Sequence, residues 1–167
     1  ESGHCGAGIE HYSWSIVYHL LRADTEHEFF LFTPPYLNRI RINTLIEGCN
    51  NVRIVKSIGP RLSFVTRHVI LPFRFLLHRP DVAFFPSGQI PLLWKGKSVI
   101  TIHDLAIYDH PEWFPKGQDF SVKTLVPKSI EKASKIITVS KASERRVHSI
   151  FPNSKNKTNV VYEGVDT

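Results

Sequence analysis

The sequence predicts an α/β fold: a Rossmann-like, doubly wound and mostly parallel sheet with helices on both faces. Three short β-branched runs carry this prediction, at residues 98–102, 135–139 and 159–162. Continuous apolar runs of this length are typical of strands that are buried on both faces of a parallel sheet. Helix-compatible segments separate the runs, and this alternation predicts right-handed crossovers. We expect one domain over residues 1–167, since a chain of this length that is 42% hydrophobic can bury a core of ordinary size.

Periodicity and proline predict the first elements. Apolar residues at helical spacing predict a helix over residues 9–22, which begins directly after a glycine-containing loop. Residues 28–33 are predicted to form a strand that ends at Pro34, because proline cannot donate a hydrogen bond to a neighbouring strand. Residues 51–58 are predicted to form the second strand.

Residues 61–79 predict a helix with Pro72 in its interior, so we expect a kink or two shorter helices. The predicted apolar side of this helix consists of Leu62, Val65, Val69, Phe73, Leu76 and Leu77. Arg67, Arg74 and Arg79 lie toward another side. Two interpretations remain open. The segment is either a basic amphipathic helix that docks on an anionic membrane or holds a lipid-phosphate acceptor, or a core helix with a solvated charged face.

The second half continues the alternation of strands and helices. Residues 81–86 are predicted to form a strand, and residues 87–97 a turn-rich loop before the strand at 98–102. An amphipathic helix is marked by Val122, Leu125, Val126, Ile130 and Ala133. A last helix is predicted to begin near Lys141, ahead of the strand at 159–162.

Composition and charge narrow the class of protein. Cys5 and Cys49 form no C-x-x-C pair and have no histidine at zinc-ligand spacing, which favours a reducing compartment. No apolar run approaches the roughly 18 to 20 residues of a membrane span, and no signal peptide opens the sequence. We therefore expect a cytoplasmic protein, peripheral at the inner face of the membrane if it docks there.

The net charge of +6 is unevenly distributed. Residues 51–97 contain eight Lys or Arg and a single acidic residue, Asp81. Such a segment attracts anions, whether substrate phosphates, lipid headgroups or nucleic acid. No helix-turn-helix, zinc or aromatic-platform motif accompanies the charge, so we expect no nucleic-acid partner.

Polar residues follow the predicted strands at their carboxyl ends, where ligands bind in open α/β sheets. They are His103, Asp104, Ser140, Glu163 and Gly164. His103 either hydrogen-bonds a sugar hydroxyl or meets developing charge, or it is a half-buried structural histidine bonded to backbone. Asp104 either orients His103 or the next loop, or caps a turn. Ser140 either contacts a ligand or is the N-cap of the following helix.

Two further sets of residues have both a functional and a structural interpretation. Gly6 and Gly8 either let the backbone approach a phosphate at the start of the first helix, or permit a turn in a terminal loop. Trp94, Trp113 and Phe114 either stack on sugar rings or pack against protein. No carboxylate cluster of the kind that holds a divalent ion beside a diphosphate is present, so we expect no metal.

Taken in order, these motifs resemble the amino-terminal half of the retaining nucleotide-sugar glycosyltransferases of family 4, which have the GT-B fold. The matching segments are Gly6-Ala-Gly8-Ile9-Glu10-His11-Tyr12, Pro80-Asp81-Val82, residues 99–105, Pro111-Glu112, residues 136–140 and Glu163-Gly-Val-Asp166. The resemblance covers nearly the whole chain. It implies an acceptor-binding domain in which His103 and Asp104 are catalytic, His103 contacting the donor sugar. Gly6, Gly8 and Ser140 are then the substrate-binding residues.

The resemblance also implies a reaction. A hexose moves, with retention, from a nucleotide sugar to a glycan or lipid-linked acceptor in polysaccharide biosynthesis, with no cofactor beyond the donor itself. The alternative is a non-catalytic glycan- or membrane-docking module of the same fold.

The resemblance implies two further parts outside these residues: a first strand before the glycine loop, and a separate carboxyl-terminal domain that binds most of the donor. We therefore expect this chain to be an inactive piece of a longer protein. The chain departs from the family at Glu163, where Asn is common, and at Glu10-His11, where a basic residue is common.

Overall fold

The computed structural model describes residues 8–33, 38–56, 64–114 and 121–164, without the side chain of Val122. The chain divides into two compact units, Glu1–Pro80 and Asp81–Thr167. The first contains a two-stranded sheet and the second a four-stranded sheet. The expectation of one domain over residues 1–167 stays a prediction.

The first unit alternates helices and parallel strands. Its elements are α1 (Gly8–Ala23), β1 (Phe29–Thr33), α2 (Arg39–Ile46), β2 (Val52–Lys56), a π-helical turn (Thr66–Ile70) and α3 (Leu71–His78). The strands β1 and β2 pair in parallel, from Phe29 opposite Val52 to Thr33 opposite Lys56. The predicted first helix and both predicted strands are confirmed.

The helix α2 was not predicted from the sequence. Asn38 begins it, because its side-chain oxygen accepts a hydrogen bond from the backbone N–H of Ile40 at 2.8 Å, which is N-capping geometry. Ile42 and Leu45, three positions apart, are the buried residues of this helix. An eight-residue helix with only two buried positions has too little periodicity for recognition in sequence.

The interruption expected at Pro72 takes the form of the π-helical turn. The backbone N–H of Leu71 donates to the carbonyl of Thr66, five residues earlier, at the end of this turn. Pro72 then lies at the second position of α3, where it has no N–H to donate to the preceding π-helical turn. The extra residue of the wider turn accommodates the proline ring, and the chain continues from the π-helical turn directly into α3.

The prediction of which side of this segment faces the core is wrong. Its large apolar residues Val65, Val69, Phe73, Leu76 and Leu77 are exposed. Leu62, also predicted on this side, lies outside the described residues. The buried residues are His68, Pro72 and Phe75, and Phe75 packs edge-on against Phe32 of β1 with ring centroids 4.5 Å apart. The helix is apolar on two neighbouring stripes, so its periodicity alone could not tell which stripe contacts the sheet.

The second unit is a parallel sheet in the order β3-β4-β5-β6. Its strands are β3 (Val82–Phe85), β4 (Lys97–Ile102), β5 (Lys135–Thr138) and β6 (Thr158–Val160). Its helices are α4 (Ala106–Asp109), α5 (Val126–Lys132) and α6 (Lys141–Ile150), with 3₁₀ turns at Pro111–Trp113 and Pro152–Lys157 and a π-helical turn at Ser121–Leu125.

The centre of this unit lies on the two middle strands. Ile100 of β4, Ile136 of β5 and Val147 of α6 are fully buried. Continuous burial of β-branched residues is what parallel strands covered by helices require. The predicted α/β class, with parallel strands flanked by helices, is therefore confirmed.

Candidate active site

The candidate site lies at the carboxyl end of β4, and His103 is its centre. The residue directly follows this central strand, and its side chain is only 16% exposed. The ring nitrogen Nε2 lies 3.1 Å from the carbonyl oxygen of Pro86, which follows β3. A carbonyl oxygen can only accept, so this contact places a proton on Nε2 and orients the ring.

Gly88 allows the chain after β3 to pack against β4, so that Pro86 lies beside His103. Its φ is +74°, and a Cβ at this position would lie 2.9 Å from the carbonyl oxygen of Thr101. A side chain here would therefore meet both backbone strain and backbone atoms that cannot move aside. The sequence analysis missed this role, although a glycine three residues after a strand is a recognisable signal.

The second ring nitrogen of His103 faces an acidic residue. Nδ1 lies 3.4 Å from Oε1 of Glu163, which follows β6 and is half exposed. A carboxylate can only accept, so a hydrogen bond across this gap requires a proton on Nδ1. The imidazole of His103 thus lies between the segment after β3 and the segment after β6.

Asp104 adopts capping geometry. Its Oδ1 accepts a hydrogen bond from the backbone N–H of Ala106 at 3.0 Å, at the start of α4. This is the bond of an Asx turn, one of the two roles left open by the sequence. The contacts of His103 described above go to Pro86 and Glu163. The catalytic assignment of Asp104 stays a prediction.

Ser140 is the N-cap of α6. Its Oγ accepts the backbone N–H of Ser143 at 3.0 Å and lies 3.0 Å from the Oγ of Ser143. Ser143 Oγ in turn donates to the backbone carbonyl of His103 at 2.6 Å, so the hydroxyl of Ser140 supplies the proton between the two serines. The two serines therefore anchor the backbone of His103 to the start of α6.

Ser143 was missed by the sequence analysis because its partner is 40 positions away. The structure brings His103, Asp104 and Ser140 together in the second unit, with Ser143 and Glu163 added to them. Gly8 is the first residue of α1 in the first unit, where an added Cβ would meet nothing within 4 Å. Gly6 lies outside the described residues.

Residues 8–33, 38–56, 64–114 and 121–164 contain no group of three or more His, Cys, Asp or Glu side chains that could hold a metal ion. Within the same ranges, every helix is too short or too polar to cross a bilayer.

The second unit is a parallel α/β sheet whose polar residues gather at the carboxyl ends of its strands, where open α/β folds bind their ligands. The family model Glycosyltransferase Family 4 matches residues 6–167. The chain therefore belongs to glycosyltransferase family 4, and it is a glycosyltransferase-type module. Comparisons with curated proteins and with solved structures give no match.

Proposed function

We propose that this chain is the acceptor-binding, amino-terminal half of a retaining GT-B glycosyltransferase of polysaccharide biosynthesis. The reaction transfers a hexose from a nucleotide sugar to a glycan or lipid-linked acceptor. Family membership over residues 6–167 supports the reaction class. The position of His103 supports the location of the site, because an oriented imidazole follows the central strand β4 at the edge where such folds bind ligands.

In this proposal His103 contacts the donor sugar through the Nδ1 edge of its ring. The Nε2 edge is occupied by Pro86, whereas Glu163 on the other edge is half exposed and can give way to a substrate hydroxyl. Asp104 shapes the turn that presents the ring, and Ser140 holds its backbone in place through α6. Gly6 and Gly8 approach a substrate phosphate at the start of α1. Fixing the reactants in this way is an orientation effect of large size.

The partners in this proposal are the nucleotide sugar, the acceptor and a carboxyl-terminal domain of the same protein. That domain binds most of the donor and stabilises the charge of the departing diphosphate. The nucleotide sugar enters as a substrate, and the proposal assigns no metal ion and no further cofactor. Nucleic acid is not among the partners. The proposed location is the cytoplasm, at the inner face of the membrane.

An anionic membrane surface is a further proposed partner, and the exposed side of α3 with the turn before it supports it. We call this side the α3 apolar face; it consists of Phe64, Val65, Val69, Phe73, Leu76 and Leu77, which are between 46% and 66% exposed. Arg67 and Arg79 are exposed on the same segment, and residues 64–79 contain no acidic side chain. Apolar side chains bordered by arginines match a surface of hydrocarbon and anionic headgroups.

The α3 apolar face also favours the alternative function, a membrane- or glycan-docking module without chemistry. Transfer assays distinguish the two. The full-length gene product is incubated with UDP-glucose, UDP-galactose or GDP-mannose and with glycan or lipid-linked acceptors. We expect release of nucleoside diphosphate and a product anomer that matches the donor, whereas residues 1–167 alone release none.

Each outcome of this assay has one meaning. Transfer with the opposite anomer contradicts retention, and transfer by residues 1–167 alone contradicts the need for a second domain. Vesicle or glycan binding by the full-length product, with no nucleoside diphosphate released from any of the three donors, establishes the docking module instead.

A further inference from the structure

An exposed tryptophan lies on the connection that follows His103. Trp113 is 68% exposed, and it ends the 3₁₀ turn Pro111–Trp113. His110 stacks on its indole, with ring centroids 4.0 Å apart and planes inclined by 10°. With one face covered by His110 and most of the residue exposed, the opposite face of the indole is accessible to a ligand.

The connection that carries Trp113 is well anchored. Arg146 of α6 forms a two-pronged hydrogen bond with the carboxylate of Asp109 at the end of α4. Tyr108 packs edge-on against Phe151, with centroids 6.0 Å apart. The backbone N–H of Trp113 donates to the carbonyl of His110 at 3.1 Å. A rigidly held aromatic ring loses little conformational freedom when a ligand stacks on it.

A carboxylate is hydrogen-bonded to His110, the ring that covers one face of Trp113. Glu112 accepts a hydrogen bond from Nδ1 of His110 at 3.2 Å, and its own side chain is 64% exposed. A bond from its own backbone N–H and the neighbouring His110 hold the pKa of Glu112 below its usual value. The carboxylate is therefore ionised at neutral pH, with oxygens that accept hydrogen bonds from hydroxyl groups.

We propose that the open face of Trp113, whose other face is covered by His110, is a subsite for a pyranose ring of the glycan acceptor. A pyranose has an apolar C–H face that packs on an aromatic ring, and its hydroxyls at the rim stay in water. An anionic membrane is a poorer occupant, because Glu112 would face negative headgroups. The assignment of this sugar as the acceptor rests on the proposed transferase function, while the binding itself does not.

The test follows the three tryptophan indole N–H signals of this ¹⁵N-labelled chain by NMR. Maltotriose and cellotriose, trisaccharides of α- and β-linked glucose, are the probes. We expect the Trp113 signal, identified by its loss in Trp113→Phe, to shift and saturate. The signals of Trp14 and of the buried Trp94 serve as internal controls and stay in place.

Variants then assign the binding energy, with affinities measured from the backbone amide signals of residues 108–114, because Trp113→Ala and Trp113→Phe lack the reporting indole. Trp113→Ala should weaken trisaccharide binding by about tenfold, and Trp113→Phe should retain part of it. Glu112→Gln should weaken it by about threefold at most, since the carboxylate acts only through His110, the ring behind the indole. The matched control is Leu93→Ala, an exposed apolar residue of the same unit, which should bind as the original chain does.

The inference is overturned if the Trp113 signal does not move with either trisaccharide at about 50 mM, a concentration that would detect even very weak binding. It is also overturned if Trp113→Ala binds normally, or if the signal responds to anionic vesicles and not to sugars. In the full-length enzyme, Trp113→Ala should raise the acceptor KM by a larger factor than it lowers kcat. Sugar binding at Trp113 without any transfer would refute only the transferase proposal, and transfer with an unchanged acceptor KM would refute only the subsite.

Discussion

Removing the α3 apolar face should release the chain from anionic membranes. We choose Phe73→Ser with Leu76→Ser, because these side chains are 62% and 66% exposed and make little contact with the protein core. Complete burial of such a side chain is worth about 1.5–3 kcal/mol, so the exposed two thirds contribute about 1–2 kcal/mol each on insertion into a bilayer. The double variant should therefore bind vesicles about 30- to 1000-fold more weakly.

The arginines of the same segment provide a second test, in which the loss of membrane binding depends on the salt concentration. Replacing Arg67, Arg74 and Arg79 by Gln should weaken binding by roughly a hundredfold at low salt, at about 1 kcal/mol for each basic residue near an anionic surface. Arg74 donates to the carbonyl of Lys56 at 2.8 Å and is half-buried, so most of this loss should come from Arg67 and Arg79. The loss should be small on neutral vesicles and should shrink as salt rises.

Sedimentation with phosphatidylcholine vesicles, with and without about one third phosphatidylserine, measures vesicle binding of both sets of variants. The matched control is Ile40→Ser in α2, a residue of the same unit that is 72% exposed and lies outside the α3 apolar face. Melting temperatures check that the variants remain folded, since exposed substitutions should change stability little. Unchanged vesicle binding of Phe73→Ser with Leu76→Ser, or an equal loss for Ile40→Ser, would refute membrane docking by this face.

Three further predictions concern single residues. In the full-length enzyme, His103→Ala should lower the turnover rate about ten- to a thousandfold, because one stabilising group worth about 1.4 to 4 kcal/mol is lost. A loss below about threefold per folded molecule would remove His103 from the site. Burial and the charge of Arg67 hold the pKa of His68 below its ordinary 6.5. The unfolded chain therefore binds more protons than the folded chain as the pH falls through 6.5, and the free energy of unfolding decreases. Urea denaturation at about pH 7.5 and about pH 5.5 should show a smaller decrease in His68→Gln than in the exposed control His19→Gln, and equal decreases would contradict this cause. Arg79 follows the last residue of α3 with φ +47° and ψ +51°, a left-handed conformation that glycine adopts without strain. Arg79→Gly should therefore raise the free energy of unfolding by about 0.5–1 kcal/mol. A lower melting temperature of this variant would contradict the prediction.

Much of the candidate site could be predicted from the sequence, because its residues directly follow strands or precede a helix. A polar residue that directly follows a β-branched run must stand at the end of a strand, which is why His103 was found. Ser140 was recognised as a cap for a similar reason, since serine before a helix satisfies its free N–H groups. The contacts that orient His103 were not readable, because Pro86 and Ser143 come from other elements of the chain. Glu163 was placed at the correct edge, but not against the imidazole.

The sequence by itself determined the α/β class, the position of most strands and the residue types at their carboxyl ends, because these depend on spacing along a short stretch of chain. The tertiary structure alone decided which stripe of α3 is buried, since Phe75 rather than Phe73 contacts the sheet. It likewise decided that Trp113 is exposed and stacked while Trp94 is buried. In each case the residue types allowed either arrangement, and the outcome depended on which distant surface could cover the side chain.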